Sequence, residues 1–254
     1  MAALKLINTL QQRHEEMGLS FFLGYVNADK HSKAHLFWQR YAKAFPQHYE
    51  EIASVGFWLR FLKHRQLASK LGQAWEAWGI RALSLLQGTV AITARAHALS
   101  LSHEQLSKAH SFIQQSHSQG YQLNHHWSAE RLSRQLASPL SKSYLILDRH
   151  QEIKGLSNYY LGAMKSRESF KAGIIDLLMM DGLNFQEQCK LLNETSAAIA
   201  TDGAEVAMLP SFDKQHALSL LASGYLYIPK RCHLITLFKD PLLSLQGVGQ
   251  IIFR

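Results

Sequence analysis

Residues Phe170–Leu192 read "FKAGIIDLLMMDGLNFQEQCKLL". The stretch begins as an apolar run rich in strand formers, turns at Asp181-Gly182, and continues as a polar segment with helical spacing. It is a strand, a tight turn and a helix. The unpaired N–H groups at the start of such a helix, together with its dipole, attract anions. The same pattern also serves as plain core. Asn184 has the chemistry of an N-cap, and Glu187 stands where it can reach back to close a capping box.

Ahead of this unit, "KSYLILDR" (142–149) and "IKGLSNYYLGAM" (153–164) read as strands joined by a hairpin turn at His150-Gln151-Glu152. Phe170–Met180 is then the third strand of the set. Earlier still, "ARAHALSL" (94–101) is a short strand. Ser102 starts a helix with Gln105 placed for a capping box, and "SAERLSRQLA" is a second helix that stops before Pro139. On the far side, the helix after Asn184 closes at Gly203. "AEVAMLP" is a strand, "DKQHALSLLASG" a helix closed at Gly224, and "YLYIP" with "CHLITLF" a final strand or strand pair. The order β-α-α-β-β-β-α-β-α-β implies an α/β chain with a mixed sheet.

The N-terminal part has its own pattern. Ala3, Leu4, Ile7 and Leu10 fall at helical spacing, and "LSFFLGYV" is a strand. A helix with Leu36, Phe37 and Tyr41 on one side ends at Pro46, and "IASVGFWLRFL" (Ile52–Leu62) is a second strand. The division expected is a helix-strand-helix-strand unit over 1–68, a helical connector over 69–92, and a complete unit over 93–254.

On these residues the chain resembles the GNAT superfamily of N-acyltransferases, in a tandem-GNAT, N-myristoyltransferase-like arrangement with a partial first domain. "GLSNYYLGAMKSRESFKAGIIDLLMM" looks like the third and fourth strands of such a domain, and "SGYLYIPKRCHLITLF" like its ending. The resemblance implies a GNAT-like fold, an acyl-CoA cofactor (acetyl-CoA or another acyl-CoA), and transfer of the acyl group, expected to be acetyl, to an amine of a small molecule or peptide. It places Leu177, Leu178, Met179 and Met180 along the pantetheine, and Gly182, Leu183, Asn184 and Phe185 at the diphosphate turn. The family's usual turn is richer in glycine, and here Asp181 and Glu187 bring negative charge close to it.

Acyl transfer needs a base for the amine and an acid for the leaving thiolate. Asp176 interrupts an apolar strand and is the candidate base; alternation groups it with Ile174, Leu178 and Met180. A structural, hydrogen-bonded Asp is the competing reading. The family's proton-donating tyrosine falls on Leu220, which leaves Tyr225 as the candidate acid. Asn158, Tyr159 and Tyr160 are candidates for an acceptor groove, with aromatic core as the alternative.

Composition adds limits. Lys plus Arg exceed Asp plus Glu by 27 to 19, a formal charge of +8, which favours anionic partners. The excess is scattered, its densest clump being Lys63-His64-Arg65, and no nucleic-acid motif is present. Two cysteines, Cys189 and Cys232, make neither a disulfide framework nor a zinc site, and they fit a reducing, cytoplasmic setting. No apolar run approaches membrane-spanning length. His103, His110 and His117 recur at intervals too long for one metal ion. Two readings compete with the transferase: a GNAT fold kept as a binding or assembly module without turnover, and a nucleic-acid binder using Trp75, Trp78 and Trp127 among basic residues. A homodimer is compatible with either.

Overall fold

Among the described residues, seven strands hydrogen-bond into one mixed sheet. In chain order the elements are α1 (Ala2–Met17), β1 (Phe22–Asn27), α2 (Lys33–Ala44), β2 (Tyr49–Phe61), α3 (His64–Lys70), α4 (His103–His117), α5 (Ala129–Leu136), β3 (Ser141–Leu147), β4 (Ile153–Lys165), β5 (Ser169–Met179), α6 (Phe185–Thr201), β6 (Val206–Ser211), α7 (Ala217–Ala222) and β7 (Leu226–Leu237). This computed structural model describes residues 2–70, 103–117, 127–165, 167–211 and 216–239. The strand expected at 94–101, and nearly all of the connector expected at 69–92, lie outside the described residues.

The strand order is β1-β7-β2-β6-β5-β4-β3. β5 and β6 are parallel, linked through α6, and every other pair is antiparallel. β3, β4 and β5 form the meander that the sequence predicts, and β7 is one continuous strand rather than two. β2, from the N-terminal part, lies between β6 and β7, so both parts of the chain share one sheet.

Helices cover both faces. On one, α6 packs Leu191, Leu192 and Ile199 against Tyr144, Tyr159, Ile175 and Ala207. On the other, α4 and α5 bring Ile113, Leu132 and Leu136 against Leu156, Leu177 and Met179. Leu67 of α3 continues that second layer over Ala172, Ile174 and Met208. At the far end, α1 and α2 cover β1 and β7 through Ile7, Val26, Tyr41, Ile235 and Leu237. Burying such aliphatic side chains contributes roughly 1.5–3 kcal/mol each.

The helix ends follow local chemistry. Ser32 and Ser128 cap α2 and α5 by accepting from the His35 and Arg131 amides. α6 starts with the expected capping box, Asn184 Oδ1 accepting from Glu187 N–H and the Glu187 carboxylate accepting from Asn184 N–H. It ends at Gly203, whose φ of +92° suits the left-handed position after a helix. Among the described residues, no helix is long and apolar enough to cross a membrane.

Candidate functional site

β5 and β6 begin side by side and then part. Their ladder joins Ala172 to Val206, Gly173 to Ala207 and Ile174 to Met208, and goes no further. The cause lies on the other edge of β5. Between β4 and β5 the register slips by one residue: Tyr159 faces Ile175, Asn158 faces Leu177, and Asp176 is left as the extra residue of a β-bulge. A bulge bends its strand and increases the local twist. β6 meanwhile stays paired with β2 as far as Ser211. The backbone of Ile175–Met179 therefore turns one edge toward a wedge that β6 does not fill.

The Asp181-Gly182 turn closes the end of that wedge. The Met180 carbonyl accepts from Leu183 N–H at 2.9 Å. Gln188 Nε2 donates to the Leu183 carbonyl at 3.0 Å, and Ser219 of α7 donates to Gln188 Oε1. Gly182 is required by close approach, since a Cβ there would lie 2.9 Å from the Lys154 carbonyl oxygen of β4. At the helix start, the Asn184 and Glu187 amides are taken by the capping box. The Phe185 and Gln186 amides, the first two of α6, have no carbonyl one turn earlier within the helix to bond. Both carboxylates at the turn have a basic side chain beside them. Lys154 Nζ lies 3.0 Å from each oxygen of Glu187, and His216 Nε2 lies 3.2 Å from Asp181. The Asn184 amide and the Lys154 ammonium together hold the Glu187 carboxyl below its ordinary value.

The candidate pantetheine residues divide between the two layers. Leu177 and Met179 pack toward α4 and α5, while Leu178 and Met180 pack toward α6. Gly182, Asn184 and Phe185 are exposed, and Leu183 is buried beneath the turn.

Asp176 is 5% exposed and faces α5. Gln135 Nε2 bridges its Oδ2, at 2.5 Å, to Asn158 Oδ1, at 3.1 Å. Asn158 in turn donates to Ser143 Oγ at 2.8 Å and to the Lys142 carbonyl. The bulge corrects the strict alternation expected for this strand. Asp176 keeps Ile174 on its face but is separated from Leu178 and Met180.

Tyr225 is fully buried on the α6 side, its hydroxyl 2.8 Å from Ser196 Oγ. The Ser196 hydroxyl also reaches the Leu192 carbonyl, at 2.7 Å. Burial pushes the phenol upward, against the Ser196 bond and the Arg60 charge. Asp176 and Tyr225 thus stand on opposite faces of the sheet. Tyr159 shares the Tyr225 side and donates to Asp202 Oδ2 at 2.7 Å; burial, then Asp202, raise its phenol well above the ordinary range. Asn158 and Tyr160 face the other way.

Sequence reasoning passed over Arg60, Lys154, Gln135 and Ser196. Each is an unremarkable residue within a periodic segment, and only packing brings it to the wedge or its turn. Trp127 is 2% exposed in the α4–α5 core, and its carbonyl accepts from Gln114. Trp75 and Trp78 lie outside the described residues, as does the side-chain placement of His103 and His117. His110 bonds the Trp127 carbonyl at 3.0 Å. Among the described residues no three His, Cys, Asp or Glu side chains converge as metal ligands. A groove of about 190 Å³ lies at the α1–β1–α2 end, lined by Leu6, Leu10, Phe22, Phe37 and Trp38, with no residue from β5, β6 or α6.

No protein-family model matches the chain, and no curated protein matches it in sequence. Solved structures match its fold. A Saccharomyces cerevisiae N-myristoyltransferase structure with bound myristoyl-CoA and inhibitors superposes with a TM-score of 0.57 at 11% identity, over 80% of this chain and 56% of that one. A second structure of that enzyme, with bound myristoyl-CoA, superposes with a TM-score of 0.56 at 12% identity, over 89% of this chain and 62% of that one. The chain thus spans less than two thirds of these two N-myristoyltransferase chains. The fold is that of these N-myristoyltransferase structures, in keeping with the resemblance that the sequence carries.

Proposed function

We propose that this chain is an acyl-CoA-dependent N-acyltransferase. The observation that carries the proposal is the parting of β5 from β6 after Ile174 and Met208. A parallel pair that parts beside a bulge carries a strand edge off the β6 ladder, and an amide-bearing chain such as pantetheine can pair with such an edge. In this reading the Ile175–Met179 edge receives the pantetheine, and the diphosphate lies at the Gly182–Gln186 turn. The Phe185 and Gln186 amides and Lys154 are its donors there, with Lys154 turning from Glu187 to phosphate oxygen.

The reaction joins the amine nitrogen to the thioester carbonyl carbon as the carbon–sulfur bond breaks. The amine's proton passes to a base and the thiolate is protonated as it leaves. Asp176 is the proposed base, held by Gln135 on the α5 face, so the amine arrives from that side with Asn158 and Tyr160 nearby. Tyr225 is the proposed proton donor to sulfur, which requires its bond to Ser196 to break. Isothermal titration with CoA and acetyl-CoA tests the cofactor half of the proposal. Measurable binding by both, weakened by Lys154→Ala, is expected. No binding by either thioester or CoA overturns it.

One observation favours a second reading, a GNAT fold used as a binding module. The capping box occupies two of the amides that an anion at this helix start would need. The titration separates the two readings.

A further inference from the structure

Among the described residues, the Arg60 guanidinium has no counter-ion. Arg60 lies on β2, faces the α6 layer, and is 5% exposed. Its Nη1 donates to Asn193 Oδ1 at 2.7 Å, and its Cζ sits 5.9 Å above the Tyr225 ring. Among the described residues no carboxylate lies within ion-pair distance of it. Arginine is almost never buried unless paired, because an uncompensated charge in a low-dielectric interior is costly. Asn193 and the tyrosine face compensate it only in part: one neutral acceptor serves a fork of five donors.

Its position connects it to the wedge. Arg60 pairs with Ala207 of β6, and Ala207 pairs with Gly173 of β5, one residue before the ladder ends. Ile199 of α6 covers Gly173. Asn193, which the guanidinium reaches, is six residues nearer the start of α6, about 9 Å along the helix toward the open end. The side chain therefore runs along the α6 face toward the end of the sheet where β5 and β6 part. It is too enclosed by Tyr225 and Asn193 to meet a diphosphate, whose proposed place is the exposed turn at the mouth.

Resting on the acyltransferase reading above, we propose that Arg60 is the floor of a carboxylate subsite in the wedge, and that the acyl group of the donor thioester ends in a carboxylate. The donor class is a dicarboxylic half-thioester of CoA such as succinyl-CoA. The planar fork of Arg60 matches a carboxylate with two parallel bonds, which a lysine would not. The acceptor amine is assigned to the opposite face, where Asp176 lies, so the carboxylate belongs to the donor.

The test compares CoA, acetyl-CoA and succinyl-CoA by titration calorimetry on the full chain and on Arg60→Met. Succinyl-CoA is expected to bind the unaltered chain about tenfold or more tighter than acetyl-CoA, the scale of a bond between charged groups. In Arg60→Met the two thioesters bind alike. Without ligand, Arg60→Met melts at the same temperature or higher, because replacing an unpaired buried charge with an apolar chain removes a penalty. Arg60→Lys, which keeps the charge and loses the fork, gives an intermediate preference. Equal affinity for the two thioesters on the unaltered chain overturns the subsite and leaves the acyltransferase reading standing, as does a preference that survives in Arg60→Met. Binding of neither thioester removes both. If Arg60→Met does not fold, Arg60→Lys takes its place, and an undiminished preference in that variant overturns the subsite.

Discussion

Single residues fix the geometry of the wedge, and two of them make sharp predictions. Gly173 lies beneath α6, where a Cβ would stand 2.2 Å from Ile199 Cγ2, on a fully buried, β-branched side chain. Gly173→Ala forces the helix away from the sheet just below the fork. Overpacking of this kind costs about 1–3 kcal/mol, and for a chain this long that lowers Tm by roughly 2–4 °C per kcal/mol; thermal unfolding measures it. Tyr225→Phe removes the bond to Ser196 and should cost about 1 kcal/mol in denaturant unfolding. If Tyr225 protonates the leaving sulfur, the same change lowers kcat and leaves the Kd for acyl-CoA unaltered. Legibility at this scale was uneven. Asn184 and Glu187 announced a capping box, because its spacing is local. Asp176 stood out as a charge in an apolar strand, yet the alternation that groups it with Ile174 does not carry on to Leu178 and Met180, since a bulge leaves no mark in the sequence of one strand. Nothing local in "GFWLRFL" marks Arg60; its burial arises from α6, residues far away in the chain.

Among elements, the start of α6 carries the tension between stability and anion binding. Asn184→Ala should cost about 1 kcal/mol, since it removes one side of the cap. Glu187→Ala is expected to melt lower at neutral pH, yet to bind CoA more tightly. It releases the Asn184 amide and Lys154, and it removes a negative charge from the turn. Calorimetric titration beside a melting curve checks both directions at once; tighter binding that fails to appear would move the diphosphate away from this turn. The elements themselves were largely readable, because α6, β4 and β5 have clear periods and strong punctuation at Gly182, Asn184 and Gly203. β7 was harder to read. Lys230, at φ +51° within it, gave the appearance of a break between two strands where the sheet carries one irregular strand through.

For the whole molecule, Glu205 fastens the closed end of the fork. Its carboxylate accepts from Lys70 of α3 and, at 2.6 Å, from the Lys171 amide of β5. Its carbonyl accepts from Leu62 N–H just after β2, at 2.9 Å. Burial alone would raise its carboxyl, but the Lys70 and Lys171 donors prevail and hold it below the ordinary 4.5. A depressed acid contributes stability that is complete above its unfolded value and disappears as pH falls through the folded one. Glu205→Gln should therefore be less stable than the unaltered chain at neutral pH. The gap should narrow as pH drops below about 4.5, and urea unfolding across a pH series measures it. The overall architecture was legible as an order of elements. The neighbour relations were not, because nothing local in "IASVGFWLRFL" shows that β2 joins the sheet beside β6 and β7 rather than pairing with β1.

That insertion of β2 has a consequence for how the protein is made. A ribosome releases residues 49–61 long before residues 206–211 and 226–237, which are its partners on either side. Through most of synthesis β2 has two bare hydrogen-bonding edges and nothing native to pair with. Nascent chains of this protein are expected to need shielding until the final strand emerges. A stalled chain ending before residue 206 should aggregate or hold a chaperone, where the finished one does neither.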